Sequence, residues 1–248
     1  MKRLTGLGIV VFCCVAIVLV VPQVAPGNTY YVDVKWTGAE TGATNQPFHT
    51  LSNAVATANA AAGSHTIYVA GGTYADAANG GLEDYSASGG TGGGILITKI
   101  INLYGGYAGT NGPGFDWTTR TPRSSIIDLQ AAASRAFYPN VSSGTGPRFD
   151  GFTFRNANHT SNGGAIAAAG GFGFGGYWVV NCLFTNNVTS GIGGALAMEP
   201  TEGDSVVLDS DFVGNQAANG GAMDWQPYHL NRIVSNCTFI SNTAAGGD

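Results

Sequence analysis

Asn181-Cys182-Leu183-Phe184-Thr185-Asn186-Asn187, followed by Gly193-Gly194-Ala195-Leu196, decides how this chain folds, because the pattern returns. The next copy is Asp209-Ser210-Asp211-Phe212-Val213-Gly214-Asn215 with Gly220-Gly221-Ala222-Met223. A third is Asn236-Cys237-Thr238-Phe239-Ile240-Ser241-Asn242 with Gly246-Gly247. A looser first copy is Gly151-Phe152-Thr153-Phe154 with Gly163-Gly164-Ala165-Ile166. The Phe residues at 154, 184, 212 and 239 are 30, 28 and 27 apart, and the glycine pairs starting at 163, 193, 220 and 246 are 30, 27 and 26 apart. Each unit holds two short apolar strands and a fixed glycine turn. Such a unit suits one coil of a solenoid, which buries its apolar face only by stacking on its neighbours.

Side chains on a strand alternate in direction. With Phe184 inward, Cys182 is inward too, while Leu183 and Thr185 face out; the same holds for Ser210 and Phe212, and for Cys237 and Phe239. Phe154, Phe184, Phe212 and Phe239 then form an inner column. Asn187, Asn215 and Asn242 form an amide ladder at one corner, one coil late because Ala157 holds that place in the first copy. Gly193-Gly194 and Gly220-Gly221 mark a second corner, where positive φ or close backbone approach excludes a Cβ. Beyond it Ile166, Ala168, Leu196, Met198, Met223 and Trp225 point inward, and Ala167, Ala197 and Asp224 outward. The expected fold is all-β, a right-handed parallel β-helix with a short N-terminal capping helix. Cys182 and Cys237 stand two coils, roughly 9–10 Å, apart. A disulfide needs Cα atoms within about 7 Å, so both read as small buried residues.

Composition agrees. Of 248 residues 39 are Gly, 10% are charged and 44% hydrophobic, which excludes both a disordered chain and an ordinary helical globule. A net charge of −5 comes without the basic stripe that nucleic acid requires. Lys2 and Arg3, the apolar run 8–21 and Ala25-Pro26-Gly27 predict a signal peptide over 1–27. The run is short of the roughly 20 residues of a membrane span, with a retained anchor as the alternative. Val11-Phe12 do not suit lipid attachment at Cys13 or Cys14. Residues 28–248 read as a single domain, with the cap and first coils over 28–145 and the repeat coils over 146–248. No polar cap follows Gly246-Gly247, so the expectation is a truncated frame or a piece of a longer β-helix.

In the N-terminal part, strands are expected over 29–34, 66–70, 94–103 and 125–129. Residues 51–62 are Ala-rich and free of Gly and Pro, which predicts a helix with Thr50 as N-cap. That helix would cover the open end of the sheet stack. The Gly-rich stretch 71–93 reads as a long excursion loop.

Phe184/Asn187 with Gly193 to Leu196, and Phe212/Asn215 with Gly220 to Met223, resemble the repeats of polymorphic outer membrane proteins; Phe239/Asn242 is a partial third. Those proteins carry many more repeats and a C-terminal barrel, which this sequence does not contain. Tyr30-Tyr31-Val32-Asp33, Gln46-Pro47-Phe48-His49-Thr50-Leu51 and Thr66-Ile67-Tyr68-Val69-Ala70-Gly71-Gly72-Thr73-Tyr74 resemble the opening of secreted pectate-lyase-like β-helix proteins. So do Leu103-Tyr104-Gly105-Gly106-Tyr107 and Ile126-Ile127-Asp128. The resemblance covers most of the chain after the signal and speaks for the fold. It leaves function open, because that superfamily mixes adhesins and lyases.

The lyase resemblance implies carboxylates for Ca²⁺ and a basic proton acceptor on the outer face of neighbouring coils. Ca²⁺ takes six to eight oxygen ligands. The outward positions are Gly151, Asn181, Asp209 and Asn236, three before each Phe; Thr153, Leu183, Asp211 and Thr238, one before; and Arg155, Thr185, Val213 and Ile240, one after. Only Asp209 and Asp211 supply carboxylates, on one coil, with Arg155 two coils away. They are the candidate metal site, with Ca²⁺ as the cation; no other cofactor is implied. Glu199, Glu202 and Asp204 read as an exposed loop. Asp224, Trp225 and Tyr228 would make a sugar-stacking edge, although Trp225 matches inward Met198. His49, His65, His159 and His229 lack metal-ligand spacing. Asp116, Arg120 and Arg123 lie in one loop and read as a local ion pair. The stretch 89–94 lacks the ending of a phosphate loop, and no Ser sits in a nucleophile elbow. The sequons at Asn140, Asn158, Asn187 and Asn236 arise readily in Asn-rich corners.

The residues favour a secreted or cell-surface β-helix, extracellular or at the outer membrane. Its expected role is non-enzymatic, in adhesion or as a scaffold, with glycans or surface proteins as partners and the membrane reached only through export or outer-membrane association. A Ca²⁺-dependent polysaccharide lyase is the alternative.

Overall fold

The computed structural model describes residues 27–85, 93–112, 114–142, 146–168, 175–198, 203–225 and 231–246. The expected signal peptide up to residue 26, with Cys13 and Cys14, lies outside them, as do Glu199, Glu202, Tyr228, His229 and Gly247. Successive coils pair strand on strand in parallel, and among the described residues they build four sheets. The broad sheet runs Thr29–Val32, His65–Ala70, Ile101–Gly112, Arg148–Asp150, Trp178–Val180, Ser205–Leu208 and Arg232–Ser235. The second carries the phenylalanine strands, from Gly72–Ala75 through Ser125–Asp128, Phe152–Arg155, Leu183–Thr185 and Asp211–Val213 to Thr238–Ile240. A short corner sheet starts at Asn158–His159, and the fourth sheet follows the glycine pairs. The result is a right-handed parallel β-helix, the handedness that parallel crossovers of L-residues take.

Phe154, Phe184, Phe212 and Phe239 are register partners. Their rings stack at 4.9, 5.0 and 4.9 Å with planes within 8° of parallel. That interval is the strand spacing of about 4.8 Å, so the backbone repeat sets the stacking. Phe239, the last of these rungs among the described residues, is 47% exposed, and Cys237 beside it is half-buried rather than buried. Both cysteines are free thiols, and burial pushes Cys182 up to about 12.

The amides form a continuous chain. Asn187 Nδ2 donates to Asn215 Oδ1 (2.9 Å), and Asn215 Nδ2 to Asn242 Oδ1 (2.9 Å). The remaining Nδ2 protons go to the carbonyls of Phe154, Phe184 and Phe212 in the preceding coils. Each Oδ1 also accepts a backbone N–H, from Ala157, Asn187 or Asn215.

Corners differ from the sequence reading in one respect. Asn181 (φ 52°), Asp209 (50°) and Asn236 (53°) are left-handed corner residues, not outward strand positions, and Asn156, Asn186 and Ser241 make a second such corner after the phenylalanine. Asn and Asp tolerate this region because their short polar side chains bond locally. At the glycine corner the pair divides the work. Gly193 has φ +67°, while a Cβ on Gly194 would lie 1.9 Å from the Gly221 carbonyl oxygen of the next coil. Ala167 and Ala197, expected outward, are buried. The turn folds back over them: a Cβ on Gly163 would sit 2.7 Å from that of Ala167.

The helix spans Leu51–Ala60, with Leu51, Ala54, Val55 and Ala58 buried, and packs on Thr29–Val32 and Ile95–Ile97. Thr50 accepts from the Asn53 N–H. A second cap was not legible: the buried carboxylate of Glu83 accepts from the Leu51 and Ser52 N–H groups and from the Ser52 hydroxyl. Burial outweighs these bonds and raises Glu83 from 4.5 to about 7. Two further expectations are corrected. Residues 94–103 are not one strand: Ile95–Ile97 and Ile101–Gly112 belong to different sheets, and the corner is held by Asn59, which bonds Leu96 and Thr98. The presumed loop after residue 71 contains the strand Gly72–Ala75 and a 3-10 turn at Ala77–Asn79, because Tyr74 and Tyr85 are wholly buried anchors.

Asn215→Ala leaves the Asn187 amide without its acceptor. We expect a loss of about 3 kcal/mol, several buried polar groups being orphaned at about 1–3 kcal/mol each, read by urea denaturation. Asn242→Ala, on the half-buried rung, should cost less. The Glu83 value lies above that of an unfolded glutamate, so its contribution is whole below about pH 4.5 and fades as pH rises through about 7. A urea midpoint that falls over this window in the parent and stays flat in Glu83→Gln is the expected result.

Candidate ligand-binding face

The outer side of the phenylalanine sheet is tied together by arginines. Arg123 Nη1 pairs with Asp211 at 2.6 Å, and its other nitrogens donate to the Asn181 and Asp209 carbonyls. Asp209 Oδ1 accepts from Asn236 Nδ2 at 2.6 Å. Arg155 pairs with Asp128 at 2.8 Å. The pairing expected within the loop of Asp116, Arg120 and Arg123 is therefore corrected. Both arginines reach residues 30 and 88 positions away, because the solenoid brings later coils alongside. Asp116 instead closes its own turn, accepting from Thr118 and Thr119, whose hydrogen bonds hold it well below the usual carboxylate range. Among the described residues no group of three or more His, Cys, Asp or Glu is placed to hold a metal. The Trp225 indole N–H donates to Met198 Sδ, and both pack with the core.

A different face gathers chemistry. On the broad sheet Tyr30 and Val32, Ile67 and Val69, and Leu103 point into the core. Alternation therefore turns Tyr31, Tyr68 and Tyr104 outward. They are register partners on three adjacent strands, with ring centroids 5.6 and 5.9 Å apart. The third strand overruns the sheet and returns antiparallel as Gly114–Arg120. This hairpin places Tyr107 5.0 Å from Tyr68 and Trp117 4.8 Å from Tyr31. Buried Asp33 anchors it by accepting from the Thr110 N–H and hydroxyl, both at 2.7 Å. Gly109 (φ +64°) is required there, since a Cβ would lie 2.5 Å from the Asp33 carboxylate. The Trp117 indole N–H donates to the Thr44 carbonyl at 3.0 Å.

Below the tyrosines sits a charged clasp. Asp150, the register partner of Tyr104, takes Arg120 on one oxygen and Arg148 on the other, each at 2.6 Å. Burial opposes its ionisation, but hydrogen bonds and charge from Arg148 and Arg120 prevail and hold it below the usual range. Arg120 lies over Tyr104 and Tyr107, and Arg148 over Tyr104 and Trp178, at 5.7–5.9 Å. Burial raises the Tyr31 and Tyr107 phenols, so they remain neutral donors at physiological pH. Beside Tyr107 a groove of about 380 Å³ is lined by Lys35, Gly71, Thr119, Thr121 and Ser124.

The sequence reading missed this face. The signal was available in the tyrosine lying between inward apolar residues in Tyr30-Tyr31-Val32, Ile67-Tyr68-Val69 and Leu103-Tyr104-Gly105. The three tyrosines are 37 and 36 residues apart, a longer step than that of the phenylalanine column, so the period read from the later coils did not find them. Comparison with protein families, curated proteins and solved structures finds no match.

Asp150→Asn keeps the shape and removes the charge that both guanidinium groups share. We expect a loss of about 2 kcal/mol, within the roughly 1.5–3 kcal/mol of charged hydrogen bonds, in urea at pH 7. The depressed value makes this contribution whole above about pH 4 and lost as pH falls below it. The mutant stability curve should therefore converge on the parent at low pH.

Proposed function

We propose that this chain is an exported β-helix of the cell surface or extracellular space. It acts without catalysis, in adhesion or as a scaffold, and it holds glycans on the aromatic face of the broad sheet. The observation that carries this reading is the row Tyr31–Tyr68–Tyr104, three outward phenol rings in register, walled by Tyr107 and Trp117. Aromatic plates edged by hydrogen-bond donors suit ligands with apolar C–H faces and polar rims. A solenoid repeats such positions coil after coil into an extended surface. Export draws on the basic start and apolar run of residues 2–21.

Insoluble polysaccharides should retain the protein from solution, and Tyr104→Ala should lower retention with unchanged circular dichroism. N-terminal sequencing of the exported protein should begin at Asn28. Incubation with acidic polysaccharides and Ca²⁺ should release no unsaturated product; a rise in its absorbance would replace this reading with a lyase.

A further inference from the structure

We propose that the aromatic face takes an uncharged polysaccharide, laid along the solenoid axis across Tyr31, Tyr68 and Tyr104, in preference to a uronic-acid or sulfated polymer. The inference rests on the glycan reading above and names its ligand class.

Direction comes from register. The three tyrosines belong to adjacent strands, so their row runs from coil to coil, with successive rings 5.6 and 5.9 Å apart. A sugar chain laid on it meets a tyrosine at every step, although at Tyr104 the ring is shared with the Arg120 and Arg148 guanidinium groups. Ring faces carry negative potential and attract the weakly positive C–H bonds of a pyranose. Trp117 and Tyr107 stand beside the row and limit the ligand to one lane.

Charge selects the class. The guanidinium groups at this face are Arg120 and Arg148, and both are bound to Asp150. Arg120 also donates to the Gly105 and Asp150 carbonyls, which leaves little of its fork for a ligand. Asp116, on the same hairpin, adds a second carboxylate that stays ionised. Arg120, Arg148 and Lys35 stand against three carboxylates, Asp150, Asp116 and the hairpin anchor Asp33, a balance that gives no net field to gather a polyanion, and the whole chain carries −5. The groove bordered by Tyr107 extends the face with the hydroxyls of Thr119, Thr121 and Ser124 and a single ammonium, Lys35. Neutral donors and acceptors of this kind match sugar hydroxyls.

Affinity electrophoresis of the protein through gels containing neutral polymers (β-glucan, xylan, mannan) or acidic ones (polygalacturonate, alginate) tests the inference. Retardation by at least one neutral polymer is expected, unchanged between low and high salt because stacking is not screened. Tyr68→Ala, at the centre of the row, should weaken it by about tenfold, the scale of an aromatic anchor. Should that variant lose its native circular dichroism, Tyr31→Ala at the end of the row takes its place. Ligand should also change Trp117 fluorescence, and Trp117→Phe should abolish that component. Binding confined to acidic polymers and fading with salt would overturn the uncharged class while leaving the glycan reading intact. Neutral binding undiminished in the folded tyrosine variants would overturn the site. No retardation by any polymer would remove the glycan reading itself.

Discussion

Parallel backbone pairing fixes the rise from coil to coil at about 4.8 Å, and every inward side chain must tolerate its own image at that distance. Few groups do so well. Flat phenyl rings meet the interval by stacking at 4.9–5.0 Å. Primary amides meet it by passing a hydrogen bond from one coil to the next at 2.9 Å. Glycine meets it where backbones approach too closely for a Cβ. Two residues before the rings of Phe184, Phe212 and Phe239 the column holds small groups instead, Cys182, Ser210 and Cys237, and Ser210 satisfies itself by donating to the Leu208 carbonyl and accepting from the Cys182 N–H.

The outside is free of this rule except where the chain imposes it again. Tyr31, Tyr68 and Tyr104 repeat like an inner column but turn outward, where ring stacking serves no core. The antiparallel hairpin interrupts the solenoid at that place and is held there by Asp33, Thr44 and the Asp150 clasp. A fold that recurs with many activities thus acquires an individual surface through one overrunning strand.

Legibility followed regularity. The rings at 184, 212 and 239 and their amides could be aligned because the coil lengths differ by one to three residues. The N-terminal coils follow a longer step, 37 and 36 residues between Tyr31, Tyr68 and Tyr104, so the ruler of the later coils did not carry over. There Asn59 turns a corner inside what reads as one strand, and Tyr74 and Tyr85 pull an apparent loop into the core. Glu83 caps a helix that ends more than twenty residues before it, a relation with no local signature. The partners of Arg120 and Arg123 were equally hidden, since ion pairs 30 and 88 residues apart exist only once the coils have stacked.

Arg123 leads one step further. It stands just before the strand Ser125–Asp128, and its guanidinium reaches Asp211 and the Asn181 and Asp209 carbonyls, past the intervening strands Phe152–Arg155 and Leu183–Thr185. A stack bonded only between neighbours unzips layer by layer, each rung opening at its own small cost. A strut that skips layers adds a tie between coils that do not touch, so that opening one of them also costs a bond held by another.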